Sequence, residues 1–356
     1  MRSNIARRSS ALLLGPALVL CGLALGAPAA SAAVAEDRLP AEECKVESIN
    51  FGFQQAFPGH PSAAASVGTL RAQALFVDFP DRLADDPDGE MMAALLRIAD
   101  TEAGELEEQS DDRLDLSIQA HESWLTLPSP TTAYPAGPGD VWTGETMTKI
   151  TTEAIGVADP VVDFTGIDVV WVFYHSDPTL ARRAAADNDE AWLADGHEIT
   201  RRVVLPTSLL TGTVLHETGH TLGLPDLYDV DGSILPGPQE DVSRFIGQWD
   251  PMSYADGRSQ FIAWTLWRLG WIDDDRVFCV DPSRSTRVAL QAVEQRGQTA
   301  LAVIRTERFN GLAIESRRPE PSPDNADEPQ QSGVLIYRVI GDTTSGSIVA
   351  QAADGR

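Results

Sequence analysis

Residues 216–226, HETGHTLGLPD, constrain the fold of this chain more than any other part of its sequence. His216 and His220 are four residues apart, so on a helix both imidazoles lie on one face and can bind a single Zn²⁺. Glu217 follows His216 directly, and we expect it beside the open coordination position as a general base rather than as a ligand. The sequence therefore predicts a helix that carries a zinc site on one side.

The residues after the second histidine predict where this helix ends. Glycine adopts the left-handed backbone conformation at little cost, so Gly223 should stop the helix, and Pro225 cannot continue one. The turn would bring Asp226 back as a third ligand, with Asp229 and Asp250 as alternatives. Three protein ligands leave a fourth position for water, which is typical of a catalytic zinc. A chance match would be only a polar helix face, and the added glycine and aspartate make chance a poor explanation.

Met252 and Tyr254 belong to a second motif, in residues 247–254. An extended zinc motif followed at a distance by a methionine-containing turn is the metzincin signature, in which the methionine forms an apolar floor under the metal. Tyr254 could donate a hydrogen bond to the oxyanion of a tetrahedral intermediate. The alternatives are an ordinary core methionine and an ordinary turn tyrosine.

Three stretches resemble the immune inhibitor A family of secreted bacterial metallopeptidases. They are HETGHTLGLPDLYD at 216–229, QWDPMSYADG at 248–257 and WTLWRLGWID at 264–273. Residues 74–81 and 333–339 are similar to that family's first strand and to a late strand, so the resemblance extends from about residue 70 to about residue 340. The resemblance implies a metzincin-like zincin fold and a zinc endopeptidase that acts on proteins or peptides.

One segment departs from the family. Members often carry an Asp/Asn/Gly-rich, calcium-loop-like segment before the strand that corresponds to residues 169–174. Residues 163–168 are too short for such a loop, so calcium is not indicated there. The zinc motif also resembles that of the small snapalysin peptidases of actinobacteria, but this chain is too long to match them simply.

The order of apolar and polar segments predicts an α+β fold. Between residues 70 and 275 we expect a zinc peptidase domain, with strands at 74–79, 114–118 and 169–174 and helices at 91–108 and 146–155 before the zinc helix. That order suits a mixed twisted sheet backed by helices. Beyond residue 275, short β-like runs at 276–280, 287–290, 300–304 and 334–340 predict a small all-β accessory module over 276–356, without a convincing closing element. Residues 33–69 are expected to be a pro-segment or an N-terminal wrap.

The N-terminus predicts secretion. A basic segment with Arg2, Arg7 and Arg8 precedes an apolar stretch over 11–26 and a run of small residues, which is typical of a signal peptide ending at residue 32. The formal net charge of −26 predicts that neither nucleic acid nor an anionic membrane is a partner. Because the apolar stretch is shorter than a bilayer needs, we expect no stable membrane insertion.

Two cysteines, Cys44 and Cys279, would remain after removal of the signal peptide. In an oxidising compartment the default expectation is a disulfide between them. The alternative is that Cys44 ligates the zinc of a latent zymogen and is released on activation.

The motifs together predict a secreted zinc-dependent endopeptidase with Glu217 as general base. A secreted, non-catalytic binding protein that keeps the fold around a structural zinc is the alternative. The intact Glu217 favours the enzyme, because a structural zinc site has no use for an acid at that position.

Overall fold

The two largest sheets of this computed structural model have five and six strands. The structure describes residues 38–49, 54–134, 143–176, 184–188, 190–208, 211–228, 245–253, 260–318, 332–343 and 347–350. The strands are β1 Arg38–Leu39, β2 Gly68–Asp78, β3 Leu114–Thr126, β4 Val169–Tyr174, β5 Ala185–Asp187, β6 Trp192–Ala194, β7 His197–Ile199, β8 Arg202–Pro206, β9 Val277–Val280, β10 Leu301–Glu307, β11 Asn310–Arg317, β12 Gly333–Ile340 and β13 Ile348–Ala350. The α-helices are α1 Glu90–Gln109, α2 Gly144–Ala158, α3 Thr213–Thr221 and α4 Ala263–Arg268. The described chain is therefore mixed α+β, as the sequence predicts.

The five-stranded sheet has the order β3-β2-β4-β8-β5. Its neighbours run parallel except at β5, an edge strand that pairs antiparallel with β8. Strand β4, VVWVFY, is buried at every position, because helices cover both faces of the sheet and a strand covered on both faces is apolar throughout. One face packs against α1 and α3, and the other packs against α2.

Helix α1 shows why a helix forms on the first of these faces. Apolar side chains recur at three- and four-residue spacing, which places Met92, Leu95, Ala99 and Leu106 on one buried stripe. The carboxylate of Asp86 accepts hydrogen bonds from two backbone N–H groups of the first turn, at 2.9 and 3.1 Å. An acid at a helix N-terminus satisfies donors that have no partner within the helix.

The six-stranded sheet has the order β1-β9-β10-β11-β12-β13. Strands β9 and β10 run parallel, and the other pairs run antiparallel. The buried side chains of this sheet, among them Val303, Ala313 and Tyr337, belong to the same apolar cluster as those of α3 and α4. Residues 37–356 accordingly form one compact unit, while the boundaries at residues 69 and 275 stay predictions from the sequence pattern.

The segment before β2 is built into this unit. Cys44 and Cys279 form a disulfide, as one of the two interpretations of the sequence predicts, so Cys44 has no thiolate to offer a metal. The indole N–H of Trp264 donates to the Gln55 carbonyl at 2.5 Å, and that of Trp271 donates to the Ser66 carbonyl at 2.6 Å. In the described ranges this segment contacts α4 and the residues that follow it, and its strand β1 pairs with β9, while its role as a pro-segment or an N-terminal wrap stays a prediction.

Some of the predicted elements are wrong or absent. Residues 287–290 were predicted as a strand, but in the structure they form none. Their exposure alternates, and they pair with no other strand. Seven strands were not predicted, namely β1, β5, β6, β7, β8, β11 and β13. The predicted signal peptide lies outside the described residues, and no helix in the described ranges is long and apolar enough to cross a bilayer.

Candidate metal centre

Helix α3 carries the predicted metal site, and both of its ends are fixed by specific contacts. At the N-terminus, the buried carboxylate of Glu102 on α1 accepts from the backbone N–H of Gly212 at 2.6 Å and of Leu215 at 2.7 Å. Burial raises the pKa of Glu102, and these backbone hydrogen bonds oppose that effect. An acid here caps the helix and complements its dipole, so α1 determines where α3 begins.

At the C-terminus, Gly223 ends the helix as predicted, with a left-handed φ of +82°. The Leu224 N–H donates to the Gly219 carbonyl at 3.0 Å, and the Gly223 N–H donates to the His220 carbonyl at 2.8 Å. This pair of bonds is a Schellman motif, which satisfies carbonyls that the helix leaves open. A Cβ at Gly223 would also lie 3.0 Å from the Cβ of His60, so no larger residue fits without a shift.

The helix and the turn bring together the three predicted ligands. One ligand atom from each of His216, His220 and Asp226 lies within 4.8 Å of the others. Oδ1 of Asp226 is 3.1 Å from Nε2 of His216 and 3.2 Å from Nε2 of His220. Zinc bonds of about 2.0–2.1 Å at tetrahedral angles would hold ligand atoms about 3.3–3.4 Å apart. The two distances from Asp226 are close to that spacing.

The other nitrogen of each ring determines what Nε2 can do. Nδ1 of His216 lies 2.9 Å from the Pro251 carbonyl, and Nδ1 of His220 lies 2.8 Å from the Leu224 carbonyl. A carbonyl oxygen can only accept, so each Nδ1 carries a proton, and in a neutral imidazole Nε2 then presents a lone pair. If both rings were neutral, both Nε2 lone pairs would face a carboxylate oxygen, which is also an acceptor.

A cation bound between the two Nε2 atoms and the Asp226 oxygen would give all three acceptors a partner. Without one, both imidazoles would have to be protonated to donate to Asp226, which places two like charges in rings whose centroids are 4.9 Å apart. Neutral imidazoles oriented by backbone carbonyls and an ionised carboxylate are the usual ligand set of Zn²⁺, and such outer contacts orient metal ligands. The chemistry of the donor set therefore fits the metal that the sequence predicts.

Asp226 and His220 perturb each other's pKa. Burial lowers the pKa of His220, but the carboxylates of Asp226 and Glu217 outweigh it and raise the pKa to about 9. Burial raises the pKa of Asp226, yet hydrogen bonds from His216 and His220 hold it well below its usual range. Asp226 is therefore held in its ionised carboxylate form.

Glu217 lies inside the protein, next to the first histidine on α3. Only 6 % of its surface is exposed, and its charge contributes to the raised pKa of His220. Glu217 is therefore a buried carboxylate whose charge acts on His220, one turn of α3 away.

Met252 is fully buried beneath α3, where the sequence predicts an apolar floor. A Cβ built on Gly219, between the two histidines, would lie 2.5 Å from the Met252 sulfur. The backbone N–H of Met252 donates to Asp250 Oδ1 at 2.8 Å, and its carbonyl accepts from the Leu227 N–H at 2.8 Å. The turn that holds Met252 therefore contacts α3 and the chain next to Asp226.

Asp229, Asp250 and Tyr254 are the other residues that the sequence suggested for the site, and Tyr228 lies next to it. Tyr254 and the alternative ligand Asp229 lie outside the described residues. Asp250, the other alternative, is not in the group formed by His216, His220 and Asp226, and its two oxygens accept from the backbone N–H groups of Met252 and Ile262 at 2.8 and 3.0 Å. Tyr228, which the sequence did not single out, stacks on His216 with ring centroids 6.2 Å apart.

Asn188 is a further residue of the site that the sequence analysis missed. It follows the edge strand β5, and its side-chain amide donates to the His220 carbonyl at 3.1 Å and the Thr221 carbonyl at 3.2 Å. It thereby fixes the edge strand against the C-terminal end of α3. Its distance along the chain from residue 216 explains why no local pattern revealed it.

Comparison with known proteins adds no relative. No family model matches the chain, and no curated protein matches it. The resemblance to the immune inhibitor A family therefore stays an expectation from the residues that carry it.

Proposed function

We propose that this chain is a secreted zinc-dependent endopeptidase, in which His216, His220 and Asp226 bind the metal and Glu217 is the general base. The observation that carries the proposal is that one atom each from His216 and His220 on α3 and from Asp226 after the turn lie within 4.8 Å of one another, on a helix that also holds a buried carboxylate. Two imidazole lone pairs that face a carboxylate oxygen are explained by a cation between them.

In hydrolysis each residue of the site then has a separate chemical role. A bound zinc ion supplies a water of lowered pKa and a Lewis acid for the scissile carbonyl. The Glu217 carboxylate accepts the proton of the attacking water and returns it to the leaving nitrogen. The Pro251 and Leu224 carbonyls keep both Nε2 atoms directed at the metal position, and Met252 excludes water from beneath it.

A peptide is the substrate that suits the surroundings of the site. Strand β5 is the last strand of its sheet among the described residues, and Asn188 joins it to α3. The exposed edge of a sheet binds an extended chain through main-chain hydrogen bonds whatever its sequence. A substrate added to this edge would lie beside the metal position.

Secretion is the compartment that we propose. The disulfide between Cys44 and Cys279 is typical of oxidising compartments. The N-terminal sequence has the pattern of a signal peptide, and the strongly acidic composition keeps a protein soluble outside the cell.

Casein hydrolysis by the purified protein tests the proposal. We expect hydrolysis that 1,10-phenanthroline abolishes, that the non-chelating 1,7-isomer leaves unchanged, and that added Zn²⁺ restores. Hydrolysis that resists chelation would contradict the metal mechanism. Stoichiometric zinc without hydrolysis of casein or of a peptide library would favour the alternative, a secreted binding protein with a structural zinc.

A further inference from the structure

Strand β11 directs its charged residues into the core. Its burial alternates so that Ala313, Glu315 and Arg317 are buried, whereas Leu312 and Ile314 on the opposite face are partly exposed. An ordinary strand of a sheet with one covered face shows the reverse pattern. Glu315 is fully buried, and 4 % of Arg317 is exposed, so both charges need partners inside the protein.

Arg317 finds its partners on both sides of the methionine turn. Its Nη1 donates to the Phe261 carbonyl at 3.0 Å, and its Nη2 donates to the Gln260 carbonyl at 2.8 Å and approaches the Trp249 carbonyl at 3.3 Å. The same Nη1 donates to Glu315 Oε1 at 3.0 Å. One guanidinium thus binds the backbone immediately before the turn and the backbone at 260–261.

Glu315 and Tyr337 hold the start of α4. Glu315 Oε2 accepts from the Ala263 N–H and from the Tyr337 hydroxyl, both at 2.7 Å. The Tyr337 oxygen in turn accepts from the Trp264 N–H at 3.1 Å. Two residues from different strands of the second sheet therefore cap the N-terminus of α4.

Asp250 connects this cluster to the metal ligands. It is fully buried, and its Oδ2 accepts from the Ile262 N–H at 3.0 Å while its Oδ1 accepts from the Met252 N–H at 2.8 Å. The next carbonyl along the chain, that of Pro251, accepts from Nδ1 of His216 at 2.9 Å. Hydrogen bonds, joined by the backbone at 261–262 and at 250–251, therefore connect the second sheet to the His216 imidazole.

The energetic cost of the cluster indicates what it does. Buried ion pairs lose so much hydration that apolar residues of similar volume often give equal or greater stability. Stability alone therefore does not account for placing Glu315 and Arg317 in a core that the strand's own leucine and isoleucine could fill. Fixing the position of several backbone carbonyls does require such donors, because apolar side chains bind no carbonyl.

We propose that Glu315, Arg317 and Tyr337 are positioning residues for the His216 imidazole, and that the second sheet is thereby part of the metal centre rather than an accessory module. The inference rests on the proposed function for its metal, but the hydrogen bonds that carry it do not depend on one. Outer contacts of this kind typically change metal affinity by about 10–100-fold when they are lost.

Zinc affinity and the His216 ring test this inference together. Arg317→Lys keeps the charge but cannot bind several carbonyls at once, so we expect its zinc dissociation constant to rise at least about tenfold in competition with a chromophoric chelator. In metal-free protein we expect the NMR signal of the His216 Nδ1 proton to lose its protection from exchange with water. Val339→Ala is the matched control, because it removes buried volume from β12 two residues from Tyr337 and outside the cluster.

The outcomes separate the possible explanations. If Arg317→Lys binds zinc within twofold of wild type, or if Val339→Ala at equal loss of melting temperature weakens zinc as much, the positioning role is wrong. If Arg317→Lys does not fold, Tyr337→Phe, which removes only the hydroxyl, decides by the same criteria with a smaller expected change. If wild-type protein binds no zinc, the proposed function fails, and the protection of the His216 proton still decides the positioning role.

Discussion

At His216 and His220, each imidazole has one nitrogen bound to a backbone carbonyl, and that contact determines the chemistry of the other nitrogen. The zinc motif predicted which side chains meet, because residues four apart share a helix face and Gly223 can turn the chain back. It could not predict the Pro251 carbonyl or Asn188, which come from distant parts of the chain. The spacing of His216, His220 and Asp226 in the sequence predicts that they meet, whereas the contacts that orient the two imidazoles depend on the tertiary fold.

Asp226 is the ligand whose removal is most informative. Asp226→Ala should weaken zinc binding by more than about 100-fold, since losing a direct ligand should exceed the 10–100-fold cost of losing an outer contact. Hydrolysis should fall with zinc occupancy and recover in part at high zinc concentration. Isothermal titration of the chelated protein measures the affinity.

The control for this variant is Asp88→Ala, which removes an exposed acid far from the ligands in sequence. It should bind zinc as wild type does. Unchanged zinc affinity in Asp226→Ala would make Asp229 the better candidate ligand.

Helix α3 shows how packing reverses an intrinsic preference. Glycine inside a helix usually costs about 0.5–1 kcal/mol relative to alanine, so Gly→Ala normally stabilises a helix. At Gly219 the added Cβ would lie 2.5 Å from the Met252 sulfur. We expect Gly219→Ala to destabilise the protein by about 1–3 kcal/mol and to weaken zinc binding, because the methionine turn must move.

Gly104 provides the matched comparison on α1. It is exposed, and a Cβ there would meet nothing within 4 Å. Gly104→Ala should therefore stabilise the protein by about 0.5–1 kcal/mol and leave zinc affinity unchanged. Denaturant melts of both variants measure the difference, and equal stabilisation by both would refute the described contact between Met252 and α3.

Glu105 on α1 predicts a pH dependence of stability. Burial, with the charges of Glu102 and Glu108, raises its pKa from 4.5 to about 7. The folded state then binds more protons than the unfolded chain between these values, so this residue's contribution to stability is lost as pH rises from about 4.5 through 7. Glu105→Gln removes the charge and should raise the melting temperature by a few degrees at pH 8.

The same variant should melt as wild type does near pH 4, where the carboxyl is neutral in both states. Thermal melts at both pH values check this. A gain of equal size at pH 4 would show that the charge of Glu105 is not its cause.

The strands differ in how well the sequence pattern predicts them. Strand β4 was predicted at its observed bounds, because a strand covered on both faces is a continuous apolar run. Strand β11 was missed because Glu315 and Arg317 face the core, which inverts the pattern from which strands are recognised. Residues 287–290 were predicted as a short β-like run, but a local run of residues does not show whether a partner strand is available.

At the scale of the whole molecule, one apolar cluster extends from the face of the first sheet that packs on α3 to the second sheet. The sequence suggested two modules, since the spacing of its elements changes after residue 275. Shared burial between distant segments leaves no local pattern, so the continuity of the core could not be predicted.

The disulfide between Cys44 and Cys279 joins residues 235 apart in the sequence. In the chain-entropy model, closing so long a loop is worth about 5 kcal/mol. We expect the Cys44→Ser, Cys279→Ser double variant to melt roughly 10 °C below wild type. Thiol counting on denatured, unreduced protein from which residues 1–32, with Cys21, have been removed should find no free thiol in wild type, and two free thiols would refute the pairing.

The central claim is that a zinc ion and Glu217 act together in hydrolysis. The most direct test measures zinc content and casein hydrolysis side by side in wild type and Glu217→Gln. We expect one zinc per chain in both proteins and a rate about 10²–10⁴-fold lower in the variant, because the amide cannot accept the proton of the attacking water while the three ligands are unchanged. Wild-type protein without zinc, or a Glu217→Gln variant that cleaves casein at the wild-type rate, would contradict the claim.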